Sequence, residues 1–203
     1  AADFSIDSSS GVLSFVSSPN YEDPDDDGTN NAYIVIVQVS DGSNSDSQTL
    51  TISVADVNEF APEITSNSGG DNASLSYDEN SSVAVTTVTS TDTDGSSTAT
   101  YSINGGADAA DFSINSSSGV LSFVSTPDYE NPDDEGPNNE YIVIVTVTDS
   151  GGLTDSQTIT VTVTDENESA PSITSNGGGA TASISYVENN TAAVTTVTSS
   201  DAD

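Results

Sequence analysis

The sequence predicts an all-β chain of tandem two-sheet domains, on three observations. Its apolar residues fall in short β-branched runs that alternate with polar residues. Clusters of Gly, Ser, Asn and Asp separate those runs. The whole pattern then repeats: Ala2-Asp3-Phe4-Ser5-Ile6 returns as Ala110-Asp111-Phe112-Ser113-Ile114, an offset of 108 residues. Beyond Asp41 and Asp149 the offset is 109, so that Thr49 matches Thr158, Asp56 matches Asp165, Pro62 matches Pro171 and Tyr77 matches Tyr186. A period of this length is too long for a solenoid turn and suits one small domain. Residues 60–168 read as a complete repeat, 1–59 as the C-terminal part of a preceding one and 169–203 as the N-terminal part of the next. The chain opens Ala-Ala-Asp without a Met and reads as a window on something longer.

Within the complete repeat the expected strands are Val83–Thr89, Thr98–Ile103, Val120–Val124, Tyr141–Val147 and Thr158–Thr164. No stretch carries a helical period. In the last run Ile159, Val161 and Val163 alternate with Thr158, Thr160, Thr162 and Thr164, one face for the core and one for water. In the run before it, Tyr141, Val143, Val145 and Val147 form the core set. Ile142 and Ile144 then point outward, as do their counterparts Ile34 and Ile36. Seven or so short strands in one repeat, with turn signals at regular spacing, predict an immunoglobulin-like Greek-key β-sandwich.

The 203 residues include 33 Asp and Glu and no Lys, Arg or His, a formal charge of −33. Nucleic acid and anionic membrane surfaces are excluded as electrostatic partners, since both require a basic patch. Salt bridges between side chains are impossible. With no Cys there is neither disulfide nor thiolate metal site. No apolar run approaches the roughly 20 residues of a membrane span, and no signal peptide is visible. An enzyme would have to work with carboxylates and tyrosines alone, and without Trp to line a sugar site; no catalytic activity is expected.

The acidic residues gather at strand ends and in one linker: Glu79, Asp92 and Asp94, Asp128 with Glu130, Asp149, and Asp165-Glu166-Asn167-Glu168. Strand ends are domain ends in a sandwich, so carboxylates converge where one repeat meets the next. Their mutual repulsion would splay the joint. A hard divalent cation resolves this, because calcium takes roughly six to eight oxygen ligands.

The succession Phe112-Ser113-Ile114, Gly119-Val120-Leu121, Asp128-Tyr129-Glu130, Tyr141 to Asp149 and Val161 to Pro171 resembles the cadherin repeat. It is most similar to the cadherin-like repeats of large bacterial surface proteins, where the linker often ends Asn-Glu-x-Ala-Pro. The resemblance covers the whole repeat and recurs in both partial copies. It implies calcium at each joint, three ions in the family's pattern. At the second joint it implies the ligands Glu79, Asp128 and Glu130 from one repeat, Asp165, Asn167 and Glu168 from the linker with a carbonyl from Glu166, and Asp201 and Asp203 from the next. At the first joint the matching set is Asn20, Glu22, Asp56, Asn58, Glu59, Asp92, Asp94 and Asp149. Three departures bear on the ion count: Glu59 and Glu168 stand where the animal family has Asp, Phe60 and Ser169 replace an Asn, and Asn20 replaces the Asp of the Asp-Tyr-Glu motif.

A second acidic element, Asp23-Pro24-Asp25-Asp26-Asp27-Gly28 with its copy Asn131-Pro132-Asp133-Asp134-Glu135-Gly136, is similar to the start of an EF-hand-type loop but lacks the distal glutamate. A solvated acidic turn is the plainer account of it. The alternating threonines would make only one row of an ice-binding array, and exposed Thr is ordinary in sheets. Sequons at Asn72, Asn80, Asn115, Asn167 and Asn189 are those a Ser/Thr-rich chain carries by chance.

The function expected is mechanical: an extracellular, calcium-rigidified rod within a bacterial cell-surface adhesin or filament, its partners being calcium ions and the neighbouring repeats. Two other readings stand beside it. One is a subunit that polymerises head to tail, partial repeats of different copies complementing one another. The other is a carbohydrate- or protein-binding adhesion module, for which the sequence shows no aromatic-lined patch.

Overall fold

The computed structural model describes residues 3–95 and 98–203. Their contacts form two compact units, Ala1–Pro62 with Thr91–Ala99 and Thr148–Leu153, and Glu63–Ser90 with Thr100–Val147 and Thr154–Asp203.

The first unit holds two antiparallel hairpins. Strands β1 (Phe4–Ile6) and β2 (Leu13–Phe15) pair with Phe4 opposite Phe15. Between them the Asp7 carboxylate accepts the amides of Ser9 and Ser10 at 2.9 and 2.7 Å, which closes the turn. Strands β3 (Ala32–Ser40) and β4 (Ser45–Ser53) pair with Tyr33 opposite Ile52 and Ser40 opposite Ser45. Here Asp41 plays the same part, accepting from Ser43 at 2.8 Å and Asn44 at 2.7 Å. Phe4, Phe15 and Tyr33 meet ring against ring, with Tyr33 edge-on to both phenylalanines.

The second unit carries β5 (Glu63–Ile64), β6 (Asn72–Asp78), β7 (Thr86–Thr87), β8 (Ser90–Thr91), β9 (Thr100–Gly105), β10 (Phe112–Ile114), β11 (Val120–Phe123), β12 (Glu140–Thr148), β13 (Thr154–Thr164), β14 (Ser172–Ile173) and β15 (Ser199–Ser200); the last residues of β8 and β12 fall within the first unit. One sheet runs β6-β13-β12-β9 and another β10-β11-β7, with the short pairs β5-β8 and β14-β15. The long-range parallel pairing of β6 with β13, Asn72 opposite Thr158 through Asp78 opposite Thr164, ties the front of the repeat to its end. Tyr141, Val143, Val145 and Val147 of β12 and Ile159, Val161 and Val163 of β13 are buried, as the alternation predicts. Leu121 of β11, Val88 after β7 and Ile64 of β5 are buried as well. The result is an all-β two-layer sandwich of the Greek-key kind. Among the described residues no helix is long and apolar enough to cross a membrane.

Several elements differ from the sequence expectation. Val83–Thr89 forms strand only at Thr86–Thr87, because its amides reach β11 at separate points: Val85 N–H donates to Leu121 O and Val88 N–H to Gly119 O. That close approach needs glycine at 119, where φ is +70° and a Cβ would run into the Val88 carbonyl. Strand β6 was absent from the expected set, and β13 starts four residues earlier than expected. Thr158, Thr160, Thr162 and Thr164 of β13 are half-buried rather than wet. Ile142 is 36% exposed and points outward, while Ile144 is half-buried, its side chain lying over Gly105 of β9. Their counterparts Ile34 and Ile36 are 64% and 69% exposed.

Candidate functional site

With no basic side chain in the chain, each carboxylate must find backbone amides, neutral side-chain donors, water or an ion. The structure sorts the acidic residues by which of these they have. Asp26 is buried and accepts the amides of Gly28, Asn30 and Asn31 at 2.9–3.2 Å. Burial works against its charge, but those N–H groups outweigh it and hold the carboxyl below its ordinary range. Asp134, its copy, takes Asn138 N–H at 3.0 Å and Asn139 N–H at 3.3 Å. The loops that are similar to a calcium-loop start thus aim their one buried aspartate at their own backbone.

Other carboxylates gather. In the first unit Glu22, from the turn before β3, meets Asp56 and Glu59, from the segment after β4, and Asp94, from the segment after β8; one oxygen of each lies within 4.8 Å of the rest. In the second unit Glu79, Glu130 and Glu168 meet in the same way, and Glu130 also meets Asp165 and Asp203. The two clusters are copies: Glu22 corresponds to Glu130, Asp56 to Asp165, Glu59 to Glu168 and Asp94 to Asp203.

Backbone donors fix the geometry. Glu79, only 3% exposed, accepts Tyr129 N–H at 2.8 Å on one oxygen and Glu166 N–H at 2.9 Å on the other. It thereby joins the end of β6, the turn before β12 and the linker. Asp94 accepts Phe60 N–H at 3.0 Å, and Asp203 accepts Ser169 N–H at 3.0 Å. The turn carrying Glu22 is held by Asn31, whose side-chain amide donates to Tyr21 O at 2.8 Å; Asn139 does the same for Tyr129 O at 3.0 Å. Both asparagines sit at φ +61°, a conformation Asn tolerates.

The remaining expected site residues bond within their own loops, except for Asn58 and Asp149, which bond each other. Asn20 accepts Glu22 N–H and Asp92 accepts Asp94 N–H. Asp128 accepts Asn131 N–H and Asp201 accepts Ala202 N–H. Asn167 is exposed. Asn58 donates its amide to Asp149 at 2.9 Å, and the other Asp149 oxygen takes Gly151 and Leu153 N–H at 2.8 Å each. Burial opposes charge on Asp149, yet these donors hold its carboxyl below the ordinary range.

The gathered groups behave in the opposite way. Loss of hydration first, then the charges of Glu59 and Asp56, push the Glu22 carboxyl up. Glu130 is pushed up by the same loss of hydration and by Glu79, Glu168 and Asp165. Both Glu22 oxygens are shut off from solvent with no donor aimed at them; what they face is carboxylate. Such a donor set, all oxygen and all anionic, fits a hard divalent cation of the calcium type.

Sequence reasoning missed three polar anchors, of which Asp108 and Gln157 are buried and Asp155 is half-buried. Asp108 accepts Glu135 and Ile142 N–H at 2.6 and 2.7 Å. Asp155 accepts Ile64 N–H at 2.8 Å, and Gln157, fully buried in β13, bonds Asn67 and Gly70 O. The only available signal was the lack of basic residues, which forces buried acids onto amides without saying which ones.

Residues 71–164 match the family model described as the cadherin domain. Over that span the chain is similar to the cadherin domain. Protocadherin Fat 1 of Homo sapiens is 31% identical over 125 residues, 61% of this chain and 3% of that protein. Protocadherin Fat 2 of Rattus norvegicus is 32% identical over 177 residues, 83% of this chain and 4% of that protein. The chain therefore spans a small fraction of these curated relatives, both of them animal proteins. Among solved structures, human CDH23 EC21-23 aligns with all of this chain and 62% of its own at TM-score 0.71 and 19% identity. The protocadherin GammaB4 extracellular domain aligns with all of this chain and 33% of its own at TM-score 0.67 and 22% identity. The fold is the cadherin sandwich.

Proposed function

We propose that this cadherin-domain chain is part of an extracellular adhesion-type protein whose repeat junctions are stiffened by calcium. The observation that carries this is the duplicated carboxylate cage: Glu22, Asp56, Glu59 and Asp94 in one place, and Glu79, Glu130, Glu168, Asp165 and Asp203 in the other, the Glu22 oxygens having no donor. Asn20, Asn58, Asp92, Asp128, Asn167 and Asp201 lie in the same loops as the cluster residues, Asp149 reaches Asn58 from the turn between β12 and β13, and together they complete the ligand set that the resemblance implies. The repeats divide at 1–59, 60–168 and 169–203. The matching ring geometry of Phe4, Phe15 and Tyr33 and of Phe112, Phe123 and Tyr141 supports that division.

Bound there, calcium supplies positive charge and oxygen coordination at about 2.3–2.6 Å. The protein's own groups do the rest. Glu79 clamps the linker amide of Glu166 to the turn at Tyr129, and Asp94 and Asp203 clamp the amides of Phe60 and Ser169. Uncompensated, the negative charges push these segments apart; compensated, they lock the linker against both flanking repeats. The role is mechanical rather than catalytic. Millimolar calcium outside the cell suits sites of this class. The linker endings Asn58-Glu59-Phe60-Ala61-Pro62 and Asn167-Glu168-Ser169-Ala170-Pro171 support a bacterial surface adhesin or filament as the setting.

The test is calcium titration of the full chain by calorimetry together with small-angle scattering. Saturable calcium binding with a stiffer, more extended chain is expected. No binding heat and a scattering profile unchanged by chelator would overturn the reading.

A further inference from the structure

Beside the β10-β11 hairpin the second unit holds a cavity of about 310 Å³. Phe123, Val124 and Pro127 give it an apolar wall. Asp111 ahead of β10, Asp133 ahead of β12 and Tyr141 of β12 give it polar groups. A concave site with an apolar wall and a few convergent polar groups suits a small ligand or the tip of a larger one.

The carboxylates nearby differ in what they have. Asp108 accepts Glu135 and Ile142 N–H, Asp134 accepts Asn138 and Asn139 N–H, and Asp128 at the rim accepts Asn131 N–H. The Asp111 and Asp133 carboxyls accept no hydrogen bond among the described residues. Tyr141, 2% exposed, accepts Asp133 N–H at 3.2 Å, and its hydroxyl proton has no acceptor among the described residues. Burial, then the charges of Asp108, Asp133 and Asp134, pushes the Asp111 carboxyl up. Its ionised form is therefore held here at a cost.

The duplication separates such acids from those that only close turns. Asp7 closes its turn by accepting Ser9 and Ser10 N–H, and its copy Asn115 does the same for Ser117 and Ser118 without a charge. Asp3 and Asp25 return as Asp111 and Asp133 with the charge kept, and with Tyr33 they line a second cavity in the first unit.

No side chain of this protein carries a cation to meet these acids. They do not suit a bare ion either: among the described residues no three carboxylates here bring an oxygen within 4.8 Å of one another, as those of the clusters do. An ammonium group presents three N–H donors and so reaches two separated carboxylates, and an oxygen beside it takes the Tyr141 proton. A lysine or arginine side chain brings the charge with no acceptor alongside. We propose that this cavity captures the free N-terminus of a partner peptide chain. Its α-ammonium meets Asp111 and Asp133, its first carbonyl accepts from Tyr141 O–H, and its first side chain lies against Phe123, Val124 and Pro127. The site goes beyond the calcium reading and does not rest on it, because neither Asp111 nor Asp133 belongs to a cluster.

The probe is alanyl-alanine amide, titrated in calcium into the isotope-labelled full chain and read by NMR at the amides of Asp111, Val124 and Asp133. Near-neutral buffer below its ordinary pKa of about 7.7–8.0 keeps the α-amino group charged. Saturable shifts confined to the cavities are expected. The N-acetylated dipeptide amide keeps the carbonyl and loses the charge, while ethylamine keeps the charge and has no carbonyl. Each should bind the cavity roughly tenfold or more weakly. The Asp111→Asn, Asp133→Asn double variant, its folding checked in the same spectra, should show a like loss. The Glu63→Gln, Asp71→Asn variant, which removes equal charge from exposed positions elsewhere, should bind as the parent does. Shifts spread over the exposed carboxylates, equal binding of the acetylated peptide or of ethylamine, or equal losses in the two double variants would overturn the proposal. None of these results alters the calcium reading, which the chelator experiment tests on its own.

Discussion

Replacing Glu79 with Gln probes the second cluster through the one carboxylate in it that is both buried and clamped. Glu79 takes Tyr129 N–H on one oxygen and Glu166 N–H on the other. A Gln keeps one acceptor and turns an NH2 group toward the other amide. Leaving that amide unsatisfied costs about 1–3 kcal/mol, and weakening the surviving bond from charged to neutral adds about 1 kcal/mol. Without calcium there is an offset. Glu130 and Glu168, each with an oxygen within 4.8 Å, are exposed, so removing one negative charge relieves only about 1 kcal/mol from each. The E79Q loss in chelator is therefore about 0–2 kcal/mol. In calcium that relief vanishes, coordination is lost as well, and the cost is about 2–4 kcal/mol or more. Urea unfolding of the full chain with calcium and with chelator measures both. Equal losses in the two buffers would refute the reasoning, because the cluster would then be indifferent to calcium.

Four further outcomes follow from the packing and from two loop carboxylates. Leu121→Ala, at a fully buried site in β11, should lower stability by about 2–5 kcal/mol in urea unfolding. Gly119→Ala should be much worse than Gly11→Ala: both sit at positive φ, worth roughly 1–2 kcal/mol of strain, but only at 119 does a Cβ strike a carbonyl, and thermal melts should separate the two clearly. For pH, Asp111 is pushed above its ordinary 3.8 by burial and then by Asp108, Asp133 and Asp134. Its charge costs stability progressively as pH rises from about that value, so Asp111→Asn should stabilise near neutrality and lose its advantage in acid. Asp26, held below its ordinary 3.8, contributes stability present above that value and lost as pH falls through the lowered one. Asp26→Asn should therefore destabilise near neutrality, with the deficit closing in strong acid; unfolding midpoints across pH check both signs.

Much of this was readable in the sequence because alternation and repetition are independent signals. Tyr141, Val143, Val145 and Val147 announced a core face by parity, and all four are buried. Strand β6 escaped notice because its inward residues Ala73, Leu75 and Tyr77 are spaced by Asn, Ser and Asp, which read as loop composition until β13 pairs with them. Val83–Thr89 misled in the opposite sense: it is rich in β-branched residues, yet the narrow approach of Val88 to Gly119 leaves only two of its residues in strand. At the clusters, the repeat offset singled out Glu22 with Glu130 and Asp94 with Asp203, which the structure gathers. The sequence could not separate them from Asp128 or Asp201, because an aspartate that caps its own turn has the same local neighbourhood as one that joins a carboxylate cluster.

Terbium, a hard cation close to calcium in size, gives the most direct measurement. Tyr21 precedes Glu22, Tyr129 precedes Glu130, and there is no Trp to compete for excitation. Ions held in these clusters should show terbium emission on tyrosine excitation, displaced by added calcium and largely lost in the Tyr21→Phe, Tyr129→Phe double variant. Emission that calcium does not displace, or that survives unchanged in the double variant, would contradict the assignment of a cation to the carboxylate clusters.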